Sequence, residues 1–167
     1  MGSERPVIPD LKRSGVDVTL EVLACLGVFL LVGISAYYYR RLPETIPQHF
    51  KLKGEADGWG GKSILLIMPI IGVGLFTLLS VLSRFPHVFN YPWPITETNA
   101  RRQYAISRQM LSAVKLVLVA TFIYITWSMI GTALGSQRGL GLSFMMVEPP
   151  ILFVIIGFYL FKAKRDK

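Results

Sequence analysis

Between Leu42 and Lys62 the sequence gathers most of the side chains that could do chemistry: Glu44, His49, Glu55 and Asp57 among Lys51, Lys53 and Lys62. Three chemistries fit these residue types. Imidazole and carboxylates at His49, Glu55 and Asp57 would suit zinc or a similar ion. Their spacing matches no standard ligand set, however, and the three lysines would repel a cation. His49 as a general base oriented by Glu44 or Asp57 would be adequate for hydrolysis of a lipid or peptide, although no nucleophile sits in a Gly-x-Ser-x-Gly or comparable setting. The third reading is structural: His49, Asp57 and Lys62 hydrogen-bond or ion-pair within the loop and fix a cap that a partner recognises. The residue types and spacing favour this third arrangement, with no metal, no cofactor and binding rather than turnover. The glycines of the stretch lack both the lysine spacing and the preceding strand of a phosphate- or dinucleotide-binding loop.

Two further features stand out. Glu148 falls in an apolar run, where a carboxylate costs roughly 2.5–3.5 kcal/mol on insertion scales and usually faces a polar partner or cavity. Pro149 and Pro150 follow it, so Glu148 either caps a helix beginning at Pro149 or reaches the first loop and pairs with His49, Lys51 or Lys62. Arg101, Arg102 and Arg108 mark an amphipathic helix start that would rest on an anionic lipid surface at about 1 kcal/mol per charge. The sharper alternative is a docking site for a cytoplasmic partner such as a repressor. Cys25, the only cysteine, lies within an apolar run and reads as a small buried residue.

The elements that position these residues follow from hydropathy. A chain of 167 residues, 52% of them hydrophobic, with a mean hydropathy of +0.49, is too apolar for a soluble domain. Four runs, at about 17–39, 63–83, 113–134 and 142–161, are long enough to cross a hydrocarbon core of about 30 Å. In lipid the backbone must satisfy itself internally, so the spans are helices and the fold class is all-α: a four-helix membrane bundle. The expected organisation is a cytoplasmic segment over 1–13, then a single four-span domain over 14–165. Ser14 and Asp17 form a capping box at the first helix. At its far end Tyr37, Tyr38 and Tyr39, followed by Arg40 and Arg41, read as an interfacial belt. A cleaved signal peptide is the competing reading, disfavoured by the length of the apolar run and the poor cleavage site at Ile34-Ser35-Ala36. Pro69, Gly72 and Gly74 imply a mild bend and a close helix contact. The third span is the end of one continuous helix from about Glu97 to Leu134, capped by Thr96 and about 57 Å long. On it Ala100, Tyr104, Leu111 and Val114 share a face, while Arg101, Arg102, Gln103 and Arg108 lie mostly elsewhere.

Charge placement sets the orientation. The N-terminal segment, the loop from Arg84 to Arg108 and the tail hold eleven Lys and Arg, including Lys167; the other two loops hold six. The positive-inside rule then puts both termini in the cytoplasm and the stretch after Arg41 outside. The net charge of +8 is distributed between spans without an aromatic-interleaved stripe, which excludes nucleic acid as the partner class. Membrane lipids and a protein partner or larger membrane complex remain, with Gly27, Gly33, Gly131 or Gly157 as points of close helix approach.

The runs LPETIPQHFKLKGEADGWGGK and YPWPITETNARRQYAISRQML resemble a bacterial membrane family, the domain of unknown function 1648. They also resemble the N-terminal part of SdpI-type immunity and signalling proteins. The match lies at Pro47, His49, Phe50, Gly54, Asp57, Gly58, Trp59 and Lys62, and the likeness runs to about Leu111. The resemblance implies a protein of the bacterial cytoplasmic membrane that protects a producing cell from its own toxin or holds a repressor at the membrane. The immunity proteins differ in carrying further spans.

Overall fold

The computed structural model describes residues 5–166; Met1–Glu4 of the N-terminal segment and Lys167 of the basic tail lie outside them. Helix α1 (Gly15–Tyr39) leads into strands β1 (Thr45–Phe50) and β2 (Ala56–Gly61). A 3-10 turn (Lys62–Leu66) then opens α2 (Ile67–Leu82), and α3 (Ala100–Ala133) and α4 (Leu142–Arg165) complete the chain. All four helices are long and apolar enough to span a membrane, counting the 3-10 turn with α2. Their outward faces carry large apolar side chains such as Phe29, Ile70 and Phe153, as a bundle solvated by lipid requires. The chain is a multi-pass membrane protein.

The capping box predicted for α1 is present: Ser14 Oγ accepts from Asp17 N at 3.2 Å, and the Asp17 carboxylate accepts from Ser14 N at 2.6 Å. Helix α3 is continuous, as expected, but begins three residues after Glu97. Thr96 N donates to Asn99 Oδ1 at 2.9 Å and Asn99 N donates to Thr96 Oγ1 at 3.4 Å. This reciprocal pair holds the intervening residues in a turn, so the helix starts at Ala100. With 34 residues α3 is about 51 Å long, and it packs against α1, α2 and α4. A Cβ at Gly27 would meet Val119 of α3 at 2.7 Å, and one at Gly72 would meet Leu31 of α1 at 2.7 Å. These two glycines set the close α1–α3 and α1–α2 approaches; Gly74, Gly33 and Gly157 face open space, and Gly131 lies under the Gln137 side chain.

Helix α4 does not begin at Pro149. It starts at Leu142 and carries Glu148, Pro149 and Pro150 in its interior, so Glu148 is not a cap. A membrane helix tolerates prolines that neighbouring side chains and small local adjustments accommodate.

At the end where α1 begins, the segment before α1 and the end of α4 are both held by α3. Tyr104 Oη donates to Pro6 O at 3.0 Å, and Gln103 Nε2 donates to Ala163 O at 2.8 Å and Asp166 O at 3.0 Å. Trp93 Nε1 donates to Gln103 Oε1 at 2.9 Å, which seats the proline-rich joint over the same turn. Ile95, Ala100 and Tyr104 form a small core there with Ile8, Leu11, Tyr91 and Trp93. The predicted buried face of α3 is therefore too narrow, because Gln103 and Arg108 are interior as well. Burial pushes the Tyr91 phenol up to about 12, so it remains a donor to Pro86 O at 2.9 Å.

At the opposite end the expected structured loop adds one small sheet to the helical bundle: β1 and β2 form an antiparallel hairpin. Thr45 pairs with Gly61 and Pro47 with Trp59, and the register slips around Gln48, whose side chain lies across Gly60 and donates to Gly61 O at 3.2 Å. A Cβ at Gly60 would meet the Gln48 amide at 2.2 Å, and one at Gly58 would meet His49 Cβ at 2.9 Å. The glycines make room for those two side chains. Ile46 and Pro47 are both buried, and Ile46 packs with Leu42, Leu65, Met129 and Ile130 in the main core.

Candidate functional site

The hairpin is a cap fastened at both ends. At its base Lys62 N donates to Glu44 O at 2.9 Å, and Lys62 Nζ lies 2.8 Å from Glu44 Oε1. Near its tip Leu140 N donates to Gly54 O at 2.7 Å and Ala56 N donates to Arg138 O at 3.4 Å, with Glu55 bridged to Gly139. The hairpin is thereby sewn to the segment joining α3 to α4. Gly54 is the residue that permits this, with φ +82 and a position where a Cβ would stand 2.5–2.7 Å from the Gly141 backbone. Gly54→Ala should cost about 1–2 kcal/mol for the left-handed backbone alone and push the two segments apart. The expected result is faster amide exchange across residues 45–61 and at Leu140, with exchange in the helices unchanged.

On the surface of this cap His49 Nδ1 lies 2.6 Å from Asp57 Oδ1. The imidazole is 73% exposed, and Leu52, 85% exposed between Lys51 and Lys53, crowns the tip. Trp59 is also largely exposed, and Phe50 is half-buried against the main core. Of the predicted loop residues, then, His49, Asp57, Gly58 and Trp59 stand together on the hairpin, while Lys62 pairs with Glu44 rather than with His49 or Asp57. Among the described residues no three His, Cys, Asp or Glu side chains converge as metal ligands.

A second set of polar groups lies within the bundle. Arg108, read from the sequence as a surface docking or lipid-contact residue, is interior. Its guanidinium reaches Asp17 through Nε at 3.3 Å and Nη2 at 3.1 Å, and it donates to Leu11 O at 3.0 Å and Lys12 O at 2.7 Å. The amphipathic reading fails here because a buried acid one helix away offers Arg108 a better partner than the lipid surface. Arg101 and Arg102 are exposed, and Arg102 lies 3.3 Å from Asp166.

One turn further along α1 and two along α3, Lys115 Nζ donates to Glu21 Oε2 at 2.5 Å and to Ser80 Oγ at 2.8 Å, and Ser80 donates to Glu21 Oε1 at 3.0 Å. The ammonium also lies 4.8 Å from the Phe76 ring centroid. No motif or spacing in the sequence marks this three-helix knot. The signal was present, since Glu21 and Lys115 are charges of opposite sign inside apolar runs, each costly without the other.

Glu148 joins neither network. Thr121 Oγ1 donates to its Oε1 at 2.7 Å, and among the described residues it has no contact with His49, Lys51 or Lys62.

Comparison with known proteins adds the following. An uncharacterized protein of Archaeoglobus fulgidus is 28% identical over 172 residues, covering 93% of this chain and 84% of that one. That relative is archaeal, so the likeness is not confined to bacteria. No solved structure matches the chain. The region matched by a family model is the hairpin together with the adjoining halves of α1 and α2: residues 26–73 match the family described as Domain of unknown function (DUF1648).

Proposed function

We propose that this protein acts by binding, as an immunity- or signalling-type module of the SdpI kind, with the hairpin as its recognition surface. In this reading the hairpin faces the outside of the cell and both termini are cytoplasmic. The observation that carries it is the sewing of the hairpin to the α3–α4 segment through Gly54, Leu140, Ala56 and Arg138. A ligand seated on the exposed Leu52, Trp59 and His49 would pull on α3 and α4 directly. A variant of the same proposal makes the chain an accessory subunit of a larger complex. Apart from Ala163 near its end, α4 leaves its residues at least partly exposed within this chain, and Gly33 and Gly157 lie open for close approach by another helix.

The His49–Asp57 contact favours one alternative, a membrane enzyme acting on a lipid or peptide with His49 as general base and Asp57 orienting it. Both readings meet in one experiment. His49→Ala and Trp59→Ala alter an exposed surface: the His49–Asp57 pair is of the kind that contributes about 0–1 kcal/mol and Trp59 is more than half exposed, so both variants should insert and unfold like the parent. Purification in mild detergent should show that both lose a component that co-purifies with the parent chain. An unchanged set of co-purifying components would refute the recognition role. Loss of a lipid- or peptide-hydrolysing activity in His49→Ala alone, with assembly intact, would establish the enzyme instead.

A further inference from the structure

Three acidic residues lie within the four helices: Asp17, Glu21 and Glu148. Two hold a cation inside the bundle, Arg108 and Lys115 respectively. Glu148 alone among them has no Lys or Arg partner among the described residues. Its one bond comes from Thr121, whose single hydroxyl proton is shared between Glu148 Oε1 at 2.7 Å and Val117 O at 2.9 Å. The carboxylate is therefore poorly satisfied at a depth where that is costly.

It also opens onto space. Helices α3 and α4 part to leave a groove of about 490 Å³, lined by Val117, Ala120, Val147 and Ile151 around Thr121 and Glu148. The groove lies within the span that small-molecule sites occupy, about 300–1,000 Å³. Towards the hairpin side Tyr124 and Phe144 close it as a stacked pair, with ring centroids 4.3 Å apart and planes 11° from parallel. Tyr124 is held in place by donating to Leu140 O at 2.8 Å. Glu148 is six residues into α4, about 9 Å below the helix start, so the groove belongs to the leaflet on the hairpin side.

We infer that this groove binds a lipid-like amphiphile whose cationic nitrogen meets Glu148 and whose alkyl chain lies along Val117, Ala120 and Ile151. The argument is one of charge: the bundle supplies a cation to each of its other two acids, and the walls around this one accept only an apolar body. Apolar walls with one anionic group select for chain and positive head together. The inference is independent of the role proposed for the hairpin.

The test uses the full chain in phosphatidylcholine nanodiscs with a photoactivatable dodecylamine carrying a diazirine on its chain. Dodecanol and dodecanoic acid analogues with the same diazirine serve as comparisons. The amine should label peptides from residues 117–124 and 143–151 about tenfold more than the acid does, the factor expected of one charge-assisted contact. Glu148→Gln should erase the preference for the amine. Ala120→Phe, at an exposed position that cannot disturb the core, should fill the groove and reduce labelling by all three probes. Equal labelling by the three probes, or an amine preference surviving Glu148→Gln, would overturn the inference. So would a groove that no probe reaches because a second copy or another protein's helix occupies it.

Discussion

Arg108→Met is expected to lower the stability of the bundle by about 3–5 kcal/mol, the usual consequence of leaving one member of a buried ion pair behind. Asp17 would be the group stranded. Its side chain is 4% exposed and that of Arg108 8%, so water cannot replace the lost partner. The Leu11 and Lys12 carbonyls would lose their donors at the same time, and the segment before α1 would detach from α3. Titration with sodium dodecyl sulfate in mixed micelles, followed by tryptophan fluorescence, measures the loss. The double variant Asp17→Leu with Arg108→Met should recover most of it, because replacing both charges removes the desolvation cost together with the attraction. A double variant no better than the single one would mean that Arg108 contributes through its carbonyl contacts rather than through the ion pair.

The second large effect is expected at Glu21, and it should be asymmetric. The Lys115 side chain is 1% exposed, whereas that of Glu21 is 27% exposed. Glu21→Ala strands an ammonium with only Ser80 and the Phe76 ring for company, whereas Lys115→Met leaves a less deeply buried carboxylate that keeps the Ser80 hydroxyl as its donor. Glu21→Ala should therefore cost about 3 kcal/mol or more and Lys115→Met roughly half as much, partly because methionine keeps the packing of the lysine stem. The same detergent titration provides the comparison. If Lys115→Met proves the more damaging of the two, the buried stem of Lys115 rather than its charge holds α1, α2 and α3 together.

The helices were legible in the sequence because a bilayer permits few solutions for long apolar runs, and the α1 cap was legible because Ser14 and Asp17 act within one turn. The hairpin was not. Its strands contain Pro47 and three glycines, Gly58, Gly60 and Gly61, residues that weaken strands in general, yet Gly58 and Gly60 are needed here so that His49 and Gln48 can fold over the partner strand. The His49–Asp57 contact was expected from residue types alone, but the pairing of Lys62 with Glu44 depends on a register that only the paired strands define. The charge knots were hidden for a different reason. The tally of flanking cations accounts for seventeen of the eighteen Lys and Arg, and the one outside it is Lys115. Helical periodicity describes a single helix, so it places Arg108 on a surface and cannot foresee that Asp17 of α1 faces it. Glu148 stands out as a charge in an apolar run, yet its partner, Thr121, lies on a helix whose alignment against α4 no linear pattern encodes.

The grip of Gln103 and Tyr104 on both the stretch leading into α1 and the final turn of α4 has a mechanical meaning. Two peripheral rods and the central one are knotted at a single rivet, so a tug between residue 6 and residue 166 would strain that rivet before any rod slid lengthwise through the bilayer.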